Sequence, residues 1–142
     1  MNEELLKATK WAPAFWVGVL LLVQIISMPY SVDEMPGACP EDSQNCARMT
    51  LELNVSDDEL HDAMKAWVDT RIATSSFEPG HIVDRTLIMQ FPDDLLYENQ
   101  CGTVDFHSKS RLGVSDLGVN QERLDDLNSF LSEWEFSGEG CQ

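Results

Sequence analysis

The sequence predicts an α+β head carried on one membrane-spanning helix, and three patterns predict it. An uncharged apolar run near the N-terminus is long enough to cross a bilayer. Beyond it, short segments of alternating polarity bounded by turn residues argue for antiparallel strands. Two further stretches repeat apolar residues at helical spacing.

The run is "WAPAFWVGVLLLVQIISMPY", Trp11 to Tyr30, twenty residues with no charge and one strongly polar side chain, Gln24. Twenty helical residues rise about 30 Å, the thickness of a hydrocarbon core. Trp11 and Trp16 lie toward one end and Tyr30 closes the other, where amphipathic rings favour the interface. The rival reading is a cleaved signal peptide. Its apolar region would normally hold about 7–15 residues before a small-x-small cleavage site. This run is longer, and "SMPYS" (Ser27 to Ser31) is a poor site, so an uncleaved anchor is expected.

Lys7 and Lys10 precede the span, whereas Arg48 is the first basic residue after it. Basic flanks stay in the cytoplasm, which puts residues 1–10 inside, 11–30 in the bilayer and 31–142 outside. All four cysteines (Cys39, Cys46, Cys101, Cys141) follow the span, an even count suited to an oxidising compartment. Three full pairings are possible; Cys39–Cys46 with Cys101–Cys141, tying the tail to a hairpin turn, is the one expected. The net charge is −16. Glu3 and Glu4 balance Lys7 and Lys10, so 23 of the 25 acidic residues and 7 of the 9 basic ones lie beyond position 30. Such a surface repels nucleic acid and anionic headgroups. A cation-binding surface is one reading of it; a solvated acidic coat is the simpler one.

Residues 31–48, rich in Pro, Gly, Asp and Ser, predict a tether holding Cys39 and Cys46. A metal site there lacks a neighbouring histidine and a second cysteine pair. The α+β domain is expected over 49–142. "MTLELNV" (Met49 to Val55) alternates as a half-buried strand does. Within it Asn54-Val55-Ser56 fits a glycosylation sequon. Ser56 and Glu59 make a capping box. The helix it opens carries Leu60, Ala63, Met64, Trp67 and Val68 on one stripe to about Arg71, core residues by spacing. From Thr74 to Phe91 a Pro-Gly turn precedes a strand. Pro92-Asp93-Asp94 turns into "LLYEN", and Asn99 to Gly102 turns into "TVDFHSKSR". Asn120 is the expected cap of a helix from 121 to about 136, with Leu124, Leu127, Leu131 and Trp134 inward. Its polar face takes Glu122, Arg123, Asp125 and Asp126. The head is therefore expected to run β-α-β-β-β-α, an antiparallel sheet with two packed helices.

The connection "RLGVSDLGVN" (Arg111 to Asn120) stands apart. Gly113 and Gly118 allow positive φ, while Ser115 and Asp116 suit local backbone bonding. Leu112, Val114, Leu117 and Val119 are too apolar for a free loop, so at least two are expected to plug the space between sheet and helix. A rigid loop with a serine, an aspartate and a flanking arginine is also where a site is mounted.

This segment closely resembles the signature of the family called domain of unknown function 1499, S-R-x-G-x-S-D-L-G-x-N-x-x-R followed by an apolar residue. The match comprises Ser110, Arg111, Gly113, Ser115, Asp116, Leu117, Gly118, Asn120 and Arg123. "FPDDLLYE" (Phe91 to Glu98) is similar to the family's preceding strand, and "CPEDSQNC" (Cys39 to Cys46) resembles its C-x-D-S-x-N-C element. The resemblance covers residues 39 to about 135. It implies a prokaryotic or plastid-lineage protein, often with a signal, lipid anchor or membrane segment, and carries no established activity. The chain departs from it at Ala47 and Arg48, where members carry serines, and at His107, where members often have arginine. If that arginine binds an anion, the substitution weakens the binding or makes it pH-dependent.

Ser115, Asp116 and His107 are the residue types of a hydrolase set, but they sit on one local segment without a nucleophile-elbow motif. His81, Asp105 and His107 would make a metal site if adjacent strands aligned them; no metal and no cofactor is expected. Arg111, Ser115, Asp116 and Asn120 are the candidate ligand-binding residues. Arg111 either clamps a carboxylate or phosphate, or pairs internally with Asp116 or Asp94. The leading expectation is a non-catalytic binding or accessory module meeting an unknown membrane or extracytoplasmic protein or small molecule. The alternatives are a hydrolase or other enzyme using the Arg111–Asn120 loop, and a small-anion or cation binder.

Overall fold

The computed structural model describes residues 3–141, so Met1 and Asn2 of the expected cytoplasmic segment, and Gln142, lie outside the described residues. The long helix α1 covers Glu3–Ser27 and ends in a 3-10 turn at Met28–Tyr30. Thr9–Tyr30 is long and apolar enough to cross a bilayer or to serve as a signal sequence. Most of its apolar side chains face outward, Phe15, Leu21, Leu22 and Ile25 among them. Val23 and Ser27 are buried, and Gln24 between them bonds the rest of the chain. Its Nε2 donates to the Gln90 carbonyl (3.3 Å), and its Oε1 accepts from Arg85. The one strongly polar side chain of the apolar run is thus bonded to the head.

The head is α+β, with the sheet strands β1 (Cys46–Leu51), β2 (Thr74–Glu78), β3 (His81–Arg85), β4 (Pro92–Asn99) and β5 (Val104–Ser110). They lie in the order β1-β5-β4-β3-β2, every neighbouring pair antiparallel. Helices α2 (Asp57–Asp69) and α3 (Val119–Glu133) pack on one face.

Several expectations shift. The segment before the Pro-Gly turn is itself a strand, β2, giving five strands rather than four; it escaped notice because its apolar content is Phe77 alone. Asp93 and Asp94 lie within β4 instead of turning the chain, because both buried carboxylates have guanidinium partners, Arg123 and Arg111. β1 starts at Cys46, three residues early, and ends at Leu51. The capping box forms as expected, with Ser56 Oγ accepting from the Glu59 amide.

Register fixes the two faces. Met49 opposes Phe106 and Leu51 opposes Val104, while Leu95 opposes Ser108 and Ile82, all toward the helices. With Leu60, Ala63, Met64, Trp67, Leu124, Leu127 and Leu131 these make the core. The other face carries Asp94, Leu96 and His107. It is covered by the segment after α1: the Val32 amide donates to Asp94, and Arg48 donates to the Pro36 carbonyl. His107 is consequently 1% exposed.

Two disulfides close the structure, Cys39–Cys46 and Cys101–Cys141, as expected. The first spans 7 residues and the second 40, enclosing β5 and α3. Loop-closure entropy assigns them about 2 and about 4 kcal/mol respectively. Replacing Cys101 and Cys141 by serine should therefore lower the melting temperature further than replacing Cys39 and Cys46. Circular-dichroism melts of the full chain in detergent check this; the reverse order would contradict it.

Candidate functional site

The site region begins at the buried end of α3. Arg123, expected on the polar face, is 5% exposed and lies between two strand carboxylates. Its Nε donates to Asp84 Oδ2 (2.9 Å) and its Nη2 to Asp93 Oδ2 (2.6 Å). Its Nη1 donates to Ser108 Oγ (2.8 Å) and to Asn120 Oδ1 (2.7 Å). Asp84 also takes Arg71 Nη2 at 2.6 Å and Thr74 Oγ1 at 2.8 Å. Burial pushes the Asp84 carboxyl up, but Arg123 and Arg71 outweigh it and hold it below the ordinary carboxylate range.

Asn120 does not cap α3. It is the helix's second residue, fully buried, donating through Nδ2 to Asn45 O and Ser110 Oγ, both at 3.0 Å. The cap comes from Asp116. Its Oδ1 accepts from the Gly118 amide and its Oδ2 from the Asn120 amide, each at 2.9 Å. Burial opposes charge on Asp116, yet those amides keep its carboxyl low. Gly118, at φ 89°, turns the chain into the helix. Ser115 Oγ accepts from the Leu117 amide (3.3 Å), and Ser115 bridges to Gln44.

Arg111 pairs internally. Nε and Nη2 reach the two oxygens of Asp94 at 2.7 and 2.6 Å, a bidentate fork. His81 Nε2 lies 2.7 Å from the same carboxylate. Asp94 is buried, which raises its pKa, but His81 and Arg111 outweigh this and lower it.

The candidate residues are therefore distributed over two faces. Ser115 and Asp116 line a groove of about 300 Å³ with Thr86, Phe91, Asp93, Ser110, Leu112, Leu117 and Val119. His107 does not line it; its Nε2 is 3.6 Å from Cys46 Sγ. Burial, then Arg48 and Lys109, push its pKa down. His81, Asp105 and His107 likewise have separate partners: Asp94, Thr50 and Cys46. Among the described residues Cys39, Cys46 and His107 do bring ligand-type atoms within 4.8 Å, but the cysteines are joined in a disulfide.

Sequence reasoning missed the Arg123–Asp84–Asp93 cluster. The signal was Arg123 standing one turn before Leu127 on the inward stripe, with aspartates in strands on either side of "TLIMQF". It also misplaced the apolar loop residues. Val114 and Leu117 are each 92% exposed, so they do not plug the space beside α3; Asn120, Ser110 and Asn45 fill it.

The two stretches quoted from the resemblance touch each other. Asn45 Nδ2 donates to Gly113 O (2.7 Å), and the Asp116 amide donates to Gln44 O (3.1 Å). The cysteine element thus props the loop. A family model described as "Protein of unknown function (DUF1499)" matches residues 27–131. No curated protein and no solved structure matches the chain.

Removing Arg123 leaves Asp84 and Asp93 buried with reduced compensation, so Arg123→Met should cost about 3–5 kcal/mol, measured by thermal unfolding. Arg123→Lys should recover only part of this, since an ammonium cannot span both carboxylates in a planar fork. Acid should also unfold the head in two stages. His107 is held neutral in the fold, so the unfolded chain protonates first as pH falls below the ordinary 6.5 and stability begins to drop. Asp84 and Asp94 sit below the ordinary 3.8, so a second loss starts as pH falls through that value. In His107→Gln the upper stage should vanish from the plot of melting temperature against pH; its persistence would assign that stage elsewhere.

Proposed function

The chain belongs to the DUF1499 family of proteins of unknown function, and we propose that it is a single-pass membrane protein displaying a non-catalytic binding or accessory head outside the cytoplasm. The observation that carries this reading is where the loop's functional groups are directed. Arg111 is forked on Asp94, Asp116 is committed to the amides of α3, and Asn120 is buried among partners. An anion clamp or an acid–base pair needs those groups unengaged.

One observation favours an enzyme: Ser115 and Asp116 line a groove large enough for a small ligand. However, neither histidine nor lysine is among its lining residues, and its two carboxylates are already engaged, Asp93 by Arg123 and Asp116 by the Gly118 and Asn120 amides. The binding-module reading is therefore preferred. Orientation rests on Lys7 and Lys10 before the span and on two disulfides after it.

In a bacterial host the chain should resist carbonate extraction from membranes. Protease added outside intact spheroplasts should remove the head and leave a membrane-embedded fragment containing Lys7 and Lys10. A head protected until the membrane is broken, or a carbonate-soluble chain retaining its first thirty residues, would refute the reading.

A further inference from the structure

The exposed aliphatic side chains of the head are not scattered. Among the described residues after Tyr30, the large hydrophobics exposed beyond a third of their surface are Ile72, Leu87, Ile88, Val114, Leu117 and Val119. Strand register places all six at one end of the sheet. β2 starts there, after Ile72; β3 and β4 are joined there through Thr86–Phe91; and β5 leaves there for α3. The opposite end, with the β1–α2, β2–β3 and β4–β5 connections, exposes none. It carries instead Asp57, Asp58, Glu78, Glu98 and, at and just after the end of α3, Glu133 and Glu135, all exposed.

The apolar end is the end that meets α1. Gln24 bonds Arg85 and Gln90 on either side of Leu87 and Ile88. Tyr30 lies six positions beyond Gln24, so this connection stands about 9 Å inward from the outer limit of the apolar run, measured along the helix. Thr86–Phe91 contains no charge. The one charged side chain among residues 112–119, Asp116, turns its oxygens onto amides of its own helix start. Leu117 adds a local argument. It holds a left-handed φ of 57°, uncommon for a branched apolar residue, with its side chain 92% exposed. Packing within the head does not account for a leucine there.

We propose that this end of the sheet is seated in the leaflet that holds the outer half of α1, with Leu87, Ile88, Val114 and Leu117 in contact with lipid. The proposal rests on the membrane-anchored reading above. It commits the loops to the bilayer rather than to a second copy or a soluble partner, because the helix crossing that bilayer is bonded to Arg85 and Gln90, the flanks of the connection that carries Leu87 and Ile88 at this end. The acidic surface at the far end disfavours anionic headgroups, so the leaflet that suits the head is zwitterionic. The groove behind the rim, apolar for the most part but holding Asp93, Ser110 and Ser115, then opens at the membrane surface rather than into bulk solvent.

The test uses the full chain, with both disulfides formed, in phosphatidylcholine nanodiscs. Because all four native cysteines are paired, a single introduced cysteine is uniquely labelled with an environment-sensitive fluorophore. Sites are Ile88→Cys and Leu117→Cys in the loops, Phe15→Cys in the span, and Glu78→Cys at the far end. Quenchers carried on lipid chains should dim the Ile88 and Leu117 probes several-fold more than the Glu78 probe, and the Phe15 probe as well. Adding Leu87→Glu and Leu117→Glu should restore the Ile88 signal while leaving Phe15 quenched. Quenching at Phe15 without quenching in the loops overturns the seating and leaves the anchor standing. Loop probes with blue-shifted emission but no lipid quenching overturn it in favour of a protein cover. An unquenched Phe15 probe removes the anchor itself, and the seating with it.

Discussion

Arg123 is the constraint on which the head depends. A guanidinium inside a small α+β domain is tolerated only where its donors are met, and here Asp84, Asp93, Ser108 and Asn120 meet them. Those partners come from β3, β4, β5 and α3, so the same side chain sets the height at which α3 crosses the sheet. The rest of α3 needs no such specification. Leu124, Leu127 and Leu131 contribute area, which is non-directional, while the polar end of the helix contributes register.

From that fixed helix start the loop conformation follows. With α3 beginning at Val119, Asp116 is placed to cap it, Gly118 must turn left-handed, and Asn120 is drawn into the space between β5 and the cysteine element. Cys39–Cys46 then acts at a distance, holding Gln44 and Asn45 against Asp116 and Gly113. Most of the polar signature residues are thereby explained as scaffold. The outward side chains Val114 and Leu117 are what the scaffold presents.

The structure is polar along its sheet. One end gathers the exposed aliphatic side chains of the head and the membrane-length helix; the other exposes carboxylates and no large hydrophobic side chain. Gln24 links the two descriptions, since a single amide in an otherwise apolar run would be costly without partners, and Arg85 and Gln90 supply them.

Periodicity made the apolar run, the capping box at Ser56, the α2 stripe and the leucines of α3 legible, because each depends on neighbours within a few residues. The four cysteines limited the pairings to three, and position along the chain favoured the two that form. What tertiary structure decided was the fate of polar and apolar groups that break those periods. β2 exists because β3 offers it an edge, despite one large apolar residue in five. Arg123 and His107 are buried, and Leu117 is exposed, against the preferences of their types. Burial of a charge is decided by whether partners distant in sequence converge on it. Exposure of a leucine is decided by which end of the sheet its loop reaches, and neither quantity is local.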